Sequence, residues 1–284
     1  MKTRFRNQPG EGAAFPEPVV RPPWRIHRVL TLWLILIGCA GLSPAFGWTD
    51  HSRANLLRQA TRLMPESLRQ VMQAYQKELL AGMLSPGSSE DQPEHWQHPR
   101  GDYGSAARQA EEEARALVAA VDRRESLSQV SRRFGVLAHW VADVNDPLHT
   151  ADLDPNLKNY YRDYQSYVQE SMPQFRLVFL GYRSDTLTQH GPGLYLLSSS
   201  ERSRDYAESI RRSYHPDGTR ISREAFDVRS LAFGVGSLSY SNAVNDIMRV
   251  WLWAWESCHG DITNTPYPLE PAAPLNRASE EPSP

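Results

Sequence analysis

A histidine and an aspartate four residues apart, followed by a proline and a second histidine, are the groups in this chain whose spacing suits metal chemistry. They lie in HWVADVNDPLHTAD, residues 139–152. On a helix, residues four apart share a face, so His139 and Asp143 can meet one ion side by side. Pro147 disfavours helical geometry in the residue before it, which ends the helix near residues 145–146. His149 then follows on a stiffened turn. Imidazole nitrogen with carboxylate oxygen is a donor set that suits zinc. A His–Asp pair at this spacing is more often a plain hydrogen-bonded pair than a pair of ligands. The metal reading rests on the whole string.

The longer string FGVLAHWVADVNDPLHTAD resembles the signature of the bacterial zinc-dependent phospholipases C, which share their fold with fungal single-strand nucleases. That pattern is roughly H-Y-x-x-D-x-x-x-P-x-H-x-x-N. His139, Trp140, Asp143, Pro147 and His149 match it, with Asp152 in place of the Asn. The resemblance implies an all-helical exported protein that binds up to three zinc ions in a cleft. It implies that a terminal tryptophan binds zinc through its amine and carbonyl, here Trp48, together with His51. It also implies that His95, in PEHWQHP, joins His139 and Asp143 at another zinc, with His98 the alternative. Asp143 would bridge the two ions. The expected cofactor is therefore Zn2+, two ions, with a third site at His149 less well supplied. The expected activity is hydrolysis of phospholipid headgroup esters by a zinc-activated water.

Two departures qualify the resemblance. The family carries an Asp in a G-x-x-x-P-D segment, as a ligand or general base. The matching run, residues 82–87, ends in Gly87, so Glu90 and Asp91 become the candidate substitutes. The family also completes the third zinc site with HxxxE or HxxxD on the next helix. The matching positions are Tyr161 and Gln165, or Asn159 and Asp163 in a neighbouring register. None is a histidine, and tyrosine and glutamine are poor zinc ligands beside imidazole and carboxylate. Asp152, Asp154 or Asp163 would have to support His149. Two alternatives follow: a single-strand nuclease or nucleotidase of the same superfamily, and a zinc-binding protein that has lost catalysis.

The elements that must hold these groups read as helix after helix. Leu56, Leu57, Ala60, Leu63 and Met64 fall at helical spacing from His51. Pro65 suits the first turn of a second helix over about 66–82. Residues 84–104 are rich in Pro, Gly and Ser and lack periodicity; loops of that length in compact domains are usually functional or disordered. A helix follows at 105–121. Ser126 and Gln129 form a capping box for the helix that carries His139. Further helices are expected at 158–171, 173–180 and 199–213, then a turn at 214–221. The apolar segment 223–257 could break near 234–236. No repeat and no run of alternating strands is present. One all-α multi-helix domain over residues 48–260 is expected, with a disordered tail at 261–284.

The N-terminus reads as an export signal over residues 1–47. Six basic and two acidic residues precede an apolar run at 29–42, shorter than the ~20 residues of a membrane span. Cleavage after Gly47 would expose Trp48; lipidation at Cys39 or an uncleaved anchor are the alternatives. The expected location is periplasmic or secreted. The whole chain has 31 basic and 33 acidic residues, and without residues 1–47 the formal net charge becomes −6. Bulk charge thus gives no nucleic-acid signal, and phosphate attraction must come from a local site. A phospholipid or other phosphodiester substrate and peripheral membrane contact are the expected partners; no oligomeric state is implied. Cys258 alone lies beyond the signal, so the exported domain must rest on its core without an internal disulfide.

Overall fold

The structure is a computed structural model that describes residues 47–86, 92–151, 157–215 and 221–269. The chain divides into units 1–44 and 45–284, and every described residue lies in the second. Within it the chain is all-α. Nine α-helices are described: α1 (Asp50–Leu63), α2 (Glu66–Ala74), α3 (Gln76–Leu84), α4 (Ala106–Asp122), α5 (Leu127–Val144), α6 (Pro147–Thr150), α7 (Leu157–Ser171), α8 (Asp185–Tyr214) and α9 (Leu231–Ser257). Short 3-10 turns occur at Pro93–His95, Met172–Gln174 and Arg223–Ala225.

The central element is α5. Ser126 caps it with the reciprocal Gln129 hydrogen bonds of a capping box. Every residue from Leu137 to Val144 is buried, so the site residues on this helix sit in protein on all sides. It packs most closely on α3, and glycines permit this. A Cβ at Gly82 would lie 1.9 Å from the Arg132 carbonyl oxygen, and one at Gly135 would lie 2.0 Å from that of Leu79. The two backbones therefore touch, and no other residue type fits at either place. On the far side, α9 runs its buried stretch past α5, with the Trp251 indole donating to the Phe134 carbonyl at 2.9 Å.

The structure departs from the sequence expectations in five places. The expected 66–82 helix is two, broken at Tyr75 (φ −114°, ψ 36°). The expected 173–180 helix is one 3-10 turn and then extended chain, because Ser241, Asn245 and Arg249 on α9 bind its backbone. Val178 N–H donates to Ser241, Leu180 N–H donates to Asn245 Oδ1 at 2.8 Å, and Arg249 donates to the Gly181 carbonyl. The 199–213 helix begins earlier, at Asp185, kinked at Gly191 (φ 78°) and Pro192. Helix α9 continues through Gly234 and Gly236 without a break. After Gly260 the chain stays packed to residue 269: Ser67 donates to the Asp261 carbonyl, and Tyr267 stacks on Phe179 at 4.5 Å. Residues 270–284 and the apolar run 29–42 lie outside the described residues. Among the described residues no helix is long and apolar enough to cross a membrane.

Candidate metal centre

Asp143 stands at the middle of the centre, fully buried on α5. Its two oxygens have different company. Oδ2 faces two imidazoles, 2.7 Å from His95 Nδ1 and 3.2 Å from His139 Nε2. Oδ1 accepts a hydrogen bond from Arg53 Nη2 at 2.9 Å. His149 Nδ1 lies 3.7 Å from the same Oδ1, too far for a hydrogen bond.

His139 reaches Oδ2 because it sits one helical turn before Asp143. Its ring is oriented from behind by the Met83 carbonyl, 2.7 Å from Nδ1. Met83 lies in the last turn of α3, where carbonyls have no intrahelical donor. The Gly82–Gly135 contact brings that free carbonyl within reach. Arg53 Nη1 is also 2.6 Å from Nδ1. One ring nitrogen cannot donate to Met83 and accept from Arg53 at once, so the two contacts belong to different tautomers. With the proton on Nδ1 the ring donates to Met83, and the Nε2 lone pair faces His95 and Asp143. A carbonyl-held second nitrogen is the usual support of a metal-binding histidine.

His95 comes from the loop between α3 and α4. Pro93 opens a 3-10 turn that ends at His95. The loop is then tied down: Gln97 N–H donates to the His149 carbonyl at 3.0 Å, and Gln97 Oε1 accepts from Ala107 N–H at the start of α4. Gly104 (φ +80°) closes it, where a Cβ would lie 2.1 Å from the Trp96 carbonyl oxygen. The His95 ring lies against Trp140, and its Nε2 is buried without a hydrogen-bond partner.

The electrostatics follow from burial beside a fixed charge. Burial, then the Arg53 guanidinium, pushes His139 down to about 4, with Asp143 opposing. Burial alone would raise the Asp143 carboxyl. The neighbouring His139 and His95 rings and the Arg53 guanidinium outweigh it and hold Asp143 well below the usual carboxylate range. Burial raises Asp146, with His149 opposing, and burial lowers His149. Burial thus disfavours charge on His139 and His149 while the central carboxylate stays ionised, the protonation states a metal requires.

The three facing donor atoms fit a zinc ion. His95 Nδ1, His139 Nε2 and Asp143 Oδ2 stand 3.2, 3.2 and 2.7 Å apart. Donors ~2.0–2.1 Å from a tetrahedral zinc stand ~3.3 Å from one another. These three residues are the group among the described residues whose atoms could hold a metal. Two imidazoles and one carboxylate make three protein ligands, the number that catalytic zinc sites use.

The other sequence candidates are placed as follows. His51 is exposed on α1 and does not join the cluster; Arg53, buried on the opposite face, does. Trp48 is a buried core aromatic whose indole donates to the Ala142 carbonyl at 2.9 Å, and its own carbonyl accepts from Arg53 Nε at 2.9 Å. His98 pairs with Asp102 in the loop. His149 is buried between Trp96 and Tyr161, with Nδ1 lacking a hydrogen-bond partner. Gln165 Nε2 is also buried without one, while Asp163 instead accepts from Tyr214 and from Arg223 N–H, both at 2.8 Å. Glu90, Asp91, Asp152 and Asp154 lie outside the described residues, as does the Asn159 side chain. Arg53 is the site residue that sequence reasoning missed. Its signal was present: 53, 56, 57 and 60 share one helix face, so an arginine stood in line with the apolar Leu56, Leu57 and Ala60.

No protein-family profile and no curated protein matches the chain. Solved structures do. The alpha-toxin of an avian strain of Clostridium perfringens superposes with a TM-score of 0.55 at 13% identity, over 76% of this chain and 66% of the toxin chain. The alpha toxin of Clostridium absonum gives a TM-score of 0.55 at 14% identity, over 74% of this chain and 66% of that one. The likeness is one of fold, and this chain spans about two thirds of either toxin's length.

Proposed function

We propose that this chain is an exported, zinc-dependent hydrolase of phosphate diesters, with phospholipid headgroup esters as substrate. The observation that carries the reading is the convergence of His95 Nδ1, His139 Nε2 and Asp143 Oδ2 within 3.2 Å of one another. The all-α fold shared with the clostridial alpha-toxins agrees with the phospholipase C resemblance of residues 134–152. The basic residues before the apolar run at 29–42 support export.

When bound, zinc supplies Lewis acidity that activates water at neutral pH and offsets phosphate charge. The protein's own residues set the conditions for it. Met83 fixes the His139 tautomer that presents Nε2. Asp143 gives Oδ1 to Arg53 and would offer Oδ2, beside His95, to an ion, so its charge would be shared between two partners. Trp140 packs against both histidine rings, and burial of the cluster strengthens each electrostatic contact inside.

The test is side-by-side assay of a phosphatidylcholine analogue and single-stranded DNA, with metal analysis of the same preparation. Lipid hydrolysis that falls away with chelation, and in His139→Ala and Asp143→Asn, is the expected result. Cleavage of DNA without lipid hydrolysis would assign the chain to the nuclease branch, and absence of bound zinc would remove the metal reading. One observation favours a second reading, a zinc-binding protein without catalysis: His95, His139 and Asp143 are 1%, 0% and 0% exposed. Tightly held zinc with no diester hydrolysis would select it.

A further inference from the structure

Asp143 has the geometry of a bridging carboxylate, but only one of its two sides is open to an ion. Oδ2 belongs to the histidine pair. Oδ1 is taken by Arg53, a group that keeps its positive charge at any pH a protein tolerates. The guanidinium is 1% exposed and donates through two nitrogens to fixed acceptors, with the third beside His139. Nε donates to the Trp48 carbonyl at 2.9 Å, Nη2 donates to Oδ1 at 2.9 Å, and Nη1 lies 2.6 Å from His139 Nδ1. The Trp48 carbonyl and the second Asp143 oxygen are two of the groups that the family resemblance allots to a second zinc. Here both are spent on an arginine.

The geometry points to Arg53 as the second cation of this centre, a guanidinium fixed where an ion would stand, which leaves a one-ion site on His95, His139 and Asp143. The inference rests on the metal reading above and sets its stoichiometry. A divalent ion on Oδ1 would sit within a few ångström of a fixed positive charge, with no water between to screen it. In the uncleaved chain the approach is closed as well: a Cβ at Gly47 would lie 3.2 Å from Arg53 Nη2 and 2.7 Å from His149 Cε1, so the backbone before Trp48 lies against both groups. His51 faces solvent and cannot help to hold a second ion. An ion on His95, His139 and Asp143 then needs no ligand from Trp48.

The experiment is zinc stoichiometry by elemental analysis on the full chain, saturated with zinc and dialysed, with helix content followed by circular dichroism. The wild-type chain should hold one equivalent. Arg53→Lys, which keeps a cation, should also hold one. Arg53→His removes the fixed charge and offers an imidazole beside the freed Trp48 carbonyl and Oδ1, and should take up a second equivalent. Two equivalents in the wild type would overturn the assignment, and so would a folded Arg53→His chain that still holds one. Should the histidine variant fail to fold, the wild-type count still decides. No bound zinc in the wild type would sink the metal reading beneath it instead, a result distinct from two.

Discussion

At the scale of single residues, the Asp143–Arg53 pair sets both charge and stability. Each partner is buried, so removing one leaves the other charge without compensation. Asp143→Ala should therefore destabilise the protein by about 3–5 kcal/mol, read from the urea midpoint at unchanged slope. The pH dependence follows from His139, whose ordinary value of 6.5 falls to about 4 in the fold. Between those values the unfolded chain binds more protons than the folded one, so stability rises with pH across this window and is lost as pH falls from 6.5 toward 4. Urea titrations of the zinc-free protein at pH 4.5 and pH 7 should show the higher midpoint at pH 7. Equal midpoints would mean that His139 is not held neutral by burial. The His139–Asp143 pair and the loop motif around His95 were legible because their spacing survives in one dimension. Arg53 was not, because arginine on an amphipathic helix usually marks the solvated face, and only its register with Leu56, Leu57 and Ala60 says otherwise.

At the scale of elements, the crossing of α3 over α5 connects packing to chemistry. Gly82 and Gly135 let two backbones touch, and the Met83 carbonyl arrives at His139 as a result. Gly135→Ala must push the helices apart, at about 1–3 kcal/mol for an overpacked contact. It should also weaken zinc binding, since Met83 withdraws from the ring it orients. Ser126→Ala is the control: loss of that cap costs ~1 kcal/mol at the far end of the same helix and should leave zinc affinity unchanged. Calorimetric zinc titration of both variants separates the two effects. The cap was readable because it is a local pattern four residues long. The glycine contact was not, because each glycine alone reads as a mildly unfavourable helix residue, and its reason lies 53 positions away in the chain.

At the scale of the whole molecule, a bound ion would tie the loop before α4 to α5, with α1 joined to the centre through Arg53. Zinc at 100 times its dissociation constant should add about 2.7 kcal/mol to stability, and a chelator should remove it. A melting temperature that ignores both would rule out binding by the folded state. The helical character of the domain was plain from periodicity, and the shared fold with the clostridial alpha-toxins agrees with it. The stretch before α8 was misread as helix because its apolar residues carry the right spacing while the groups that hold it lie on α9. Those groups, Ser241, Asn245 and Arg249, recur every four residues and act as one edge of a ribbon whose other edge is the backbone of residues 178–181. The side chains of Val178 and Leu180 are exposed while their amide protons are held. Solvent deuterium should therefore enter these two amides as slowly as it enters the helix beside them, giving an irregular, surface-lying segment the exchange kinetics of the interior.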